Sequence, residues 1–286
     1  MRISIGTANF GNSYGINNKK FISKNEFNKI INYCKKNNID TIDNAQSYDN
    51  SQKLISNVKI SKFNFITKIK LNNTKKKDTN SKDLIISDLK KTMKILKIKK
   101  FYGILSHELY TSKKKNLEML HILKDLQKKK ITQKIGISIY DPREAKKILK
   151  YWKPDIVQCP LNVLDQRFYR TGYIKKLYQL KVEVHVRSIF LQGLLLKNYK
   201  DIPPKFKKWN KDLKRWINFC LINKVSQLTG CINFVKSIKY ISHVVVGFDN
   251  FKQIKQISTI LKKRSSKTNL FENYSSCKQL IEPRLW

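Results

Sequence analysis

The stretch Thr41-Ile-Asp-Asn-Ala-Gln-Ser-Tyr-Asp-Asn-Ser51 is the most informative part of the chain. It begins at the end of a short apolar strand and runs into a polar turn, which places Asp43 where the strand stops and Tyr48 in the following loop. Lys68 and His107 have the same setting, because each ends an apolar segment rich in β-forming residues. Ionisable groups at the carboxyl ends of successive strands are what an active site at the top of a barrel requires.

Strand-like and helical patterns alternate along the rest of the chain. Ser23 followed by Glu26 predicts a capping box at the start of the first helix. Eight such alternations, without a Gly-x-Gly-x-x-Gly or Walker-A sequence, predict an α/β fold of the (β/α)8 TIM-barrel type in a single domain. We expect the barrel to span residues 1–264 and residues 265–286 to form a tail that covers the barrel mouth or hangs from it. The predicted strands are 2–7, 39–42, 63–68, 101–107, 131–138, 155–158, 182–188 and 243–247.

The seventh predicted strand alternates strictly. Its valines should face the helices, and Glu183, His185 and Arg187 should face the lumen, with Arg187 highest and near a bound ligand. His185 would then lie towards the barrel floor. His121 and His243 are expected to be structural or exposed, so the sequence predicts no metal site.

The composition is strongly basic. The 286 residues suit one barrel, and 60 Lys and Arg against 20 Asp and Glu give a formal charge of +40. A nucleic-acid-binding protein is one interpretation. The lysines are spread along the whole chain and greatly outnumber the arginines, which favours a solvated, compositionally biased surface without specific nucleic-acid recognition. Weak, salt-sensitive attraction to polyanions follows in either case.

The cysteines and the N-terminal residues indicate the cellular compartment of the protein. The cysteines are odd in number, widely separated and lack a Cys-x-x-Cys pair, so neither a disulfide framework nor a zinc site is predicted. The N-terminus lacks the apolar core of a signal peptide, and no apolar run approaches 18 residues. We therefore expect a cytoplasmic, soluble protein without membrane contact. The cysteines are Cys34, Cys159, Cys220, Cys231 and Cys277.

Asp43-x-Ala-x-x-Tyr48-x-x-Ser51, followed by Lys68 and His107, resembles the catalytic tetrad of the aldo-keto reductases. The resemblance covers roughly residues 2 to 262 and implies reduction of a small aldehyde or ketone by hydride transfer. The later segments that match in order are Ile135-Gly-Ile-Ser138, Val157-Gln158-x-x-x-Asn162, Arg187-Ser-Ile-Phe-Leu-Gln-Gly193 and Val244-Val-Val-Gly-Phe-Asp-Asn-x-x-Gln253.

The tetrad pattern assigns a role to each member. Tyr48 is the expected general acid, although a free phenol has a pKa of roughly 10 and needs a neighbour that stabilises the phenolate. Lys68 as an ammonium supplies that charge, and Asp43 keeps Lys68 ionised and oriented. His107 should orient the carbonyl and stabilise the oxyanion. An ordinary polar cluster capping a barrel is the alternative interpretation of the same residues.

The resemblance also implies a nicotinamide dinucleotide across the barrel top, NADP with NAD as the alternative. Ser138 and Gln158 should hold the carboxamide, although Ile139 replaces the Asn that is usual there. Arg187 stands where many relatives place an aromatic ring. The Asp249 carboxylate would repel the 2′-phosphate of NADP, which leaves the choice between the two nucleotides open. The remaining cofactor-binding candidates are Ser188, Leu191, Gly193, Gly247, Asn250 and Gln253.

Two further interpretations come from other classes. A regulatory or scaffolding barrel would bind the nucleotide with little turnover, and a polyanion-binding protein would hold nucleic acid at 200 mM salt. For the reductase, we expect Phe10, the loop after His107 and Trp286 to complete the substrate pocket. The sequence fixes neither the carbonyl compound nor the oligomeric state.

Overall fold

Eight parallel strands close into a barrel in which each strand pairs with its neighbours in chain order and the eighth pairs with the first. The structure is a computed structural model and describes residues 1–10, 16, 22–58, 60, 62–71, 81–263 and 271–286. The predicted (β/α)8 single-domain architecture is confirmed. The predicted boundary at residue 264 lies outside the described residues.

The strands are β1 (Arg2–Gly6), β2 (Thr41–Asp43), β3 (Asn64–Ile69), β4 (Phe101–Ser106), β5 (Thr132–Ser138), β6 (Ile156–Pro160), β7 (Glu183–Arg187) and β8 (His243–Val246). The α-helices are α1 (Lys24–Lys36), α2 (Asp49–Ser56), α3 (Ser81–Leu96), α4 (Lys113–Lys128), α5 (Pro142–Ile148), α6 (Arg167–Arg170), α7 (Tyr173–Gln179), α8 (Asn210–Ile222), α9 (Gln227–Ser237), α10 (Phe251–Lys262) and α11 (Lys278–Ile281). None of the helices in the described part of the chain combines the length and apolarity needed to cross a bilayer.

The first helix begins at the predicted cap but uses its acidic residue differently. Ser23 Oγ accepts a hydrogen bond from the backbone N–H of Glu26 at 3.2 Å, which satisfies one free donor of α1. The reciprocal half of the predicted capping box is wrong, because the Glu26 carboxylate accepts from the backbone N–H of Phe251 at 2.7 Å. That bond joins the starts of α1 and α10, so the first and last helices of the ring are tied together.

Close strand approach explains one glycine of the motifs. A Cβ at Gly136 would lie 2.2 Å from the carbonyl oxygen of Ile156, far inside contact distance. Any side chain there would push β5 away from β6. Because Ser138 and Gln158 are register partners on these two strands, the glycine fixes the spacing of two predicted cofactor ligands.

Polar side chains fill the lower lumen, as the alternation of β7 predicts. Glu183 Oε1 accepts hydrogen bonds from the Tyr102 hydroxyl at 2.8 Å and from Lys134 Nζ at 2.5 Å. Burial alone raises the pKa of Glu183, but hydrogen bonds from His185, Lys134 and Tyr102 lower it to about 2. The rings of His185 and His243 pack with their centroids 4.3 Å apart and their planes tilted by 38°. Burial lowers the pKa of His243 to about 3.

The described tail packs against the side of the barrel. Leu280 and Ile281 are fully buried, and Phe271 meets the ring of Trp216 edge-on at 5.3 Å. Near the C-terminus, the Arg284 guanidinium lies 3.9 Å from the centroid of the Tyr140 ring, in the loop after β5. The tail therefore reaches the edge of the barrel top and contributes to the core.

Candidate active site

A buried ion pair lies at the carboxyl ends of β2 and β3. Lys68 Nζ is 2.6 Å from Asp43 Oδ1, and the two side chains are 3% and 5% exposed. The amine also donates to the carbonyl oxygen of Asn44 at 3.0 Å. Asp43 Oδ2 accepts from Gln158 Nε2 at 2.8 Å, so both carboxylate oxygens are occupied. A fixed ammonium at the top of the lumen follows from this arrangement.

Tyr48 lies beside this ion pair in the turn that leads into α2. Its ring centroid is 5.9 Å from Lys68 Nζ. Among the described residues no hydrogen bond joins its hydroxyl to Lys68, whose amine is directed to Asp43 and Asn44. Burial raises the pKa of Tyr48 well above its usual range, as does the Asp43 carboxylate. The Arg187 guanidinium acts in the opposite direction and lowers this pKa.

His107 follows β4 and faces Tyr48. The two rings meet edge-on, with centroids 6.4 Å apart. Burial and the neighbouring cations Lys68, Lys70 and Arg187 lower the pKa of His107 to about 3. The imidazole is therefore neutral at neutral pH and offers one N–H donor and one acceptor nitrogen. The structure thus brings the four predicted catalytic side chains to one rim.

A cleft of about 530 Å³ begins at this cluster and extends across the barrel top. Asp43, Tyr48 and Lys68 line one end, and Asp249 and Gln253 line the other. The cleft lies at the carboxyl ends of the strands, which is where enzymes of this fold place their active sites.

Seven of the ten predicted cofactor residues line the cleft, namely Gln158, Arg187, Ser188, Gly193, Gly247, Asp249 and Gln253. Three do not line it. Ser138 is 2% exposed next to Gln158, and Leu191 is fully buried in the core. Asn250 instead caps α10 by accepting from the backbone N–H of Gln253 at 3.0 Å.

Unpartnered polar atoms lie near the cleft wall. Gln158 is 1% exposed and uses its amide N–H on Asp43, while its Oε1 has no hydrogen-bond partner within the described part of the chain. Asn9 Oδ1 also lacks a hydrogen-bond partner among the described residues. Buried acceptors without partners are costly, and both are suited to the N–H groups of a carboxamide or an adenine. These donor and acceptor types fit a nicotinamide dinucleotide.

The loop after β7 has an unusual backbone. Ser188, Leu191 and Gln192 have φ of 61°, 47° and 53°, and Gly193 has φ of 90°. Non-glycine residues rarely adopt such left-handed conformations, which cluster at ligand-binding sites. Three of these four residues, all except Leu191, line the cleft. The loop is therefore shaped for close approach of a ligand to its backbone.

Arg187 is held sideways at the rim. Its guanidinium lies 4.2 Å from the centroid of the Tyr140 ring and donates to the Ile139 carbonyl oxygen at 3.3 Å. Ile139 itself is 1% exposed, so its side chain points into the core and its carbonyl positions Arg187. No carboxylate pairs with this guanidinium among the described residues.

At the far end of the cleft, Asp249 is tied into a network. Asn9 Nδ2 donates to Asp249 Oδ1 at 3.0 Å, and the backbone N–H of Asp249 donates to Gln253 Oε1 at 2.8 Å. Sequence reasoning did not single out Asn9 as a cleft residue. Its place directly after β1 was the available signal, because residues following barrel strands form the top of the fold. Other lining residues that were missed include Lys197, Gln256 and Ile257.

Two expected substrate-pocket residues are elsewhere. Phe10 is 2% exposed and packs against the rings of Phe27 and Phe248, so the expectation that it faces the pocket is wrong. Trp286 packs edge-on against Phe206 at 4.6 Å and does not line the cleft. Both aromatic side chains therefore pack in the core instead of lining the cleft.

Comparisons with known proteins agree with this fold. The family model described as "Aldo/keto reductase family" matches residues 2–273. Comparison with curated protein sequences gave no match.

Solved structures resemble the chain over most of its length. Aldo-keto reductase AKR11C1 from Bacillus halodurans, in its holo form, has a TM-score of 0.76 at 15% identity, covering 95% of this chain and 90% of that one. Glycerol dehydrogenase AKR11B4 from Gluconobacter oxydans has a TM-score of 0.70 at 16% identity, covering 93% and 87%. At these identities the likeness concerns the fold.

Proposed function

This chain belongs to the aldo/keto reductase family, and we propose that it reduces an aldehyde or ketone to the alcohol with NADPH, or alternatively NADH. Such an oxidoreductase needs a cofactor site and a proton donor at one place. The observation that carries the proposal is the buried Asp43–Lys68 ion pair beside Tyr48, on the wall of a cleft with unpartnered amide oxygens.

In the proposed reaction, each rim residue has one task. A nicotinamide held by Gln158 and Arg187 would supply the hydride for the carbonyl carbon. Tyr48 gives its phenolic proton to the developing alkoxide, and the Lys68 ammonium and the Arg187 guanidinium stabilise the resulting phenolate. The neutral His107 donates its N–H to the carbonyl oxygen and so orients the substrate. Asp43 keeps Lys68 charged in a buried place.

We assign the nicotinamide end of the cofactor to Gln158 and Arg187, which line the cleft, with Ser138 beside Gln158 on the neighbouring strand. Gln158 Oε1 is the acceptor for a carboxamide N–H. The guanidinium of Arg187 adds positive charge beside the ring, which favours the neutral reduced form over the cationic oxidised one. The pyrophosphate is assigned to Ser188 and Gly193, and the adenosine end to Gly247, Asp249 and Gln253, because these five predicted residues line the cleft and Leu191 and Asn250 do not.

The proposed cofactor is NADP because the family resemblance favours it. The Asp249 carboxylate repels a 2′-phosphate and supports NAD, whereas the positive surface and Lys252 offset that repulsion. The proposed setting is the cytoplasm, since all five cysteines are free. The proposed partner is a small carbonyl compound.

Absorbance at 340 nm with purified protein tests this proposal. NADPH and NADH are supplied in parallel with a panel of aldehydes and ketones, including sugar-derived ones. Oxidation of one nucleotide that depends on a carbonyl compound supports the reductase. Failure with every member of a broad panel, although the nucleotide binds, supports the second candidate.

That second candidate is a nicotinamide-nucleotide-binding barrel with a regulatory or scaffolding role and little turnover. One observation favours it: no hydrogen bond links Tyr48 to Lys68 in the described structure, and burial raises the pKa of Tyr48. Both candidates require nucleotide binding, which titration with NADPH or NADH and fluorescence quenching measures. Absence of binding would exclude both.

A further inference from the structure

Two histidines and a glutamate meet at the floor of the barrel, at the end opposite to the cleft. His185 lies in β7 and His243 begins β8, and the two are direct register partners. Glu183 begins β7. Each of the three side chains offers one ligand atom, and these atoms all lie within 4.8 Å of one another. The cluster is independent of the proposed reductase function.

Both imidazole rings are buried, and each has a nitrogen without a hydrogen-bond partner. His185 is fully buried and His243 is 6% exposed. The Nδ1 atoms of both rings lack a hydrogen-bond partner among the residues that the structure describes. Buried polar atoms in native proteins are almost always paired with protein, water or an ion. With no hydrogen bond on Nδ1 to fix the tautomer, the neutral His185 ring can carry its proton on Nδ1, which leaves the Nε2 lone pair free for an ion in place of the present contact with Glu183 Oε2.

Glu183 is arranged so that one oxygen is committed and the other faces the histidines. Its Oε1 accepts from both Tyr102 and Lys134, at 2.8 and 2.5 Å. Its Oε2 lies 3.3 Å from His185 Nε2. Outer hydrogen bonds that orient a carboxylate in this way are typical of metal sites.

We propose that Glu183, His185 and His243 bind one divalent transition-metal ion, Zn²⁺ by ligand type, with water completing the coordination. Two imidazoles and a carboxylate form a ligand set that zinc uses with open coordination positions. Two ligands at about 2.0–2.1 Å from a tetrahedral zinc are about 3.3 Å apart, which matches the separation of Glu183 Oε2 and His185 Nε2. The ligand atom of His243 lies within 4.8 Å of the other two, so binding requires its ring to move towards them.

The position indicates a structural ion. The floor of such a barrel contributes to stability, whereas chemistry occurs at the opposite end. The seam between β7 and β8 has only two register pairs, and one of them is His185 with His243. An ion held by side chains of both strands would therefore join β7 to β8, next to the β8–β1 pairing that closes the barrel.

Metal titration of the full-length protein tests the proposal. The protein is treated with a chelator, dialysed and titrated with Zn²⁺ by calorimetry, and with Co²⁺ by visible absorbance. We compare the wild type with His185→Gln, His243→Gln and Glu183→Gln. His121→Gln is the matched control, because His121 is an exposed histidine on α4. Circular dichroism establishes that each variant is folded.

The wild type and His121→Gln should bind one equivalent of Zn²⁺ and show a higher Tm with the metal than without it. Each floor variant should bind at least about ten-fold more weakly, since even outer-shell changes cost that much. Any floor variant that fails to fold is replaced by Glu183→Asp, which keeps the charge and should retain weakened binding. Absence of stoichiometric binding by the wild type overturns the proposal. Equal binding by wild type, His185→Gln and His243→Gln also overturns it, because the ion is then held elsewhere.

Discussion

At the scale of single residues, Asp43 and Lys68 depend on each other. The carboxylate and the ammonium are almost fully shielded from water and in direct contact. Either charge alone in that place would be strongly unfavourable, since a buried ion must be paired. The pair therefore links the stability of the barrel rim to the availability of a positive charge beside Tyr48.

Replacement of Asp43 by Asn should lower the free energy of unfolding by about 3–5 kcal/mol, because it leaves Lys68 buried without its counter-charge. Glu108→Gln is the control: it breaks the Lys70–Glu108 pair, in which the side chains are 49% and 42% exposed. That exposed pair should contribute at most about 1 kcal/mol. Urea denaturation measures both. Equal losses in the two variants would mean that Asp43 does not neutralise Lys68.

His107 should stay neutral over the working pH range. Its pKa of about 3 lies below the ordinary value of 6.5 because of burial and the cations around it. Between pH 3 and 6.5, His107 is protonated in the unfolded chain but not in the native state. Protonation therefore favours unfolding, and the free energy of unfolding falls as the pH drops from 6.5 towards 3.

An NMR titration between pH 5 and 8 checks this prediction. The His107 ring resonances, assigned by their absence in His107→Gln, should not shift with a titration midpoint in that interval. A midpoint near 6.5 would contradict the account of His107 as a neutral N–H donor.

Strand-end placement allowed the meeting of Asp43, Tyr48, Lys68 and His107 to be predicted, because parallel barrel strands bring their carboxyl ends to one rim. Side-chain partners could not be predicted in the same way. The bond from Gln158 to Asp43 and the stacking of Arg187 on Tyr140 depend on rotamers that the spacing of residues does not determine.

At the scale of elements, the loop after β7 combines strain with a ligand-facing position. Residues with positive φ are concentrated there, and Gly193 is the one for which that conformation has no steric cost. A Cβ at Gly193 would meet nothing within 4 Å. Any effect of a substitution thus comes from the backbone conformation.

Gly193→Ala should cost roughly 1–2 kcal/mol of stability, the penalty for an L-residue in left-handed backbone, and should weaken nucleotide binding. Gly172→Ala is a matched control, because Gly172 also has a positive φ of 74° and open space at its Cβ but does not line the cleft. Thermal unfolding should show similar losses for both, and fluorescence titration with NADPH should show weaker binding only for Gly193→Ala. Equal nucleotide affinity in the two variants would remove this loop from the cofactor site.

Elements were predictable where local chemistry decides them. The Ser23 cap was predictable because its partner, the backbone N–H of Glu26, lies three residues away. The destination of Glu26 was not predictable, because its partner Phe251 lies on the last helix of the ring. Phe10 was misplaced for the same reason, since only the closed fold brings Phe27 and Phe248 around it.

At the scale of the whole molecule, a charge of +40 spread over a barrel attracts any polyanion. The cleft, in contrast, has specific polar groups and a shaped loop. We therefore expect binding to nucleic acid to be electrostatic and without a dedicated surface.

Affinity for a labelled DNA duplex, followed by fluorescence anisotropy, should fall by roughly a thousand-fold or more between 50 and 200 mM salt, as counterion release predicts for several phosphate contacts. NADPH supplied at saturation should leave that binding unchanged. Tight duplex binding that persists at 200 mM salt would instead support the polyanion-binding interpretation.

In the proposed reaction, Tyr48 supplies the proton for carbonyl reduction at a rim organised by Asp43 and Lys68. Tyr48→Phe keeps the ring beside His107 and removes only the hydroxyl. Stopped-flow absorbance at 340 nm and nucleotide titration are carried out on the same preparations, with Tyr178→Phe as the control, since Tyr178 is 54% exposed on α7. Tyr48→Phe should lose about 10²–10⁴-fold in kcat while its affinity for the nucleotide stays unchanged. Turnover by Tyr48→Phe at the wild-type rate would contradict the proposed reaction.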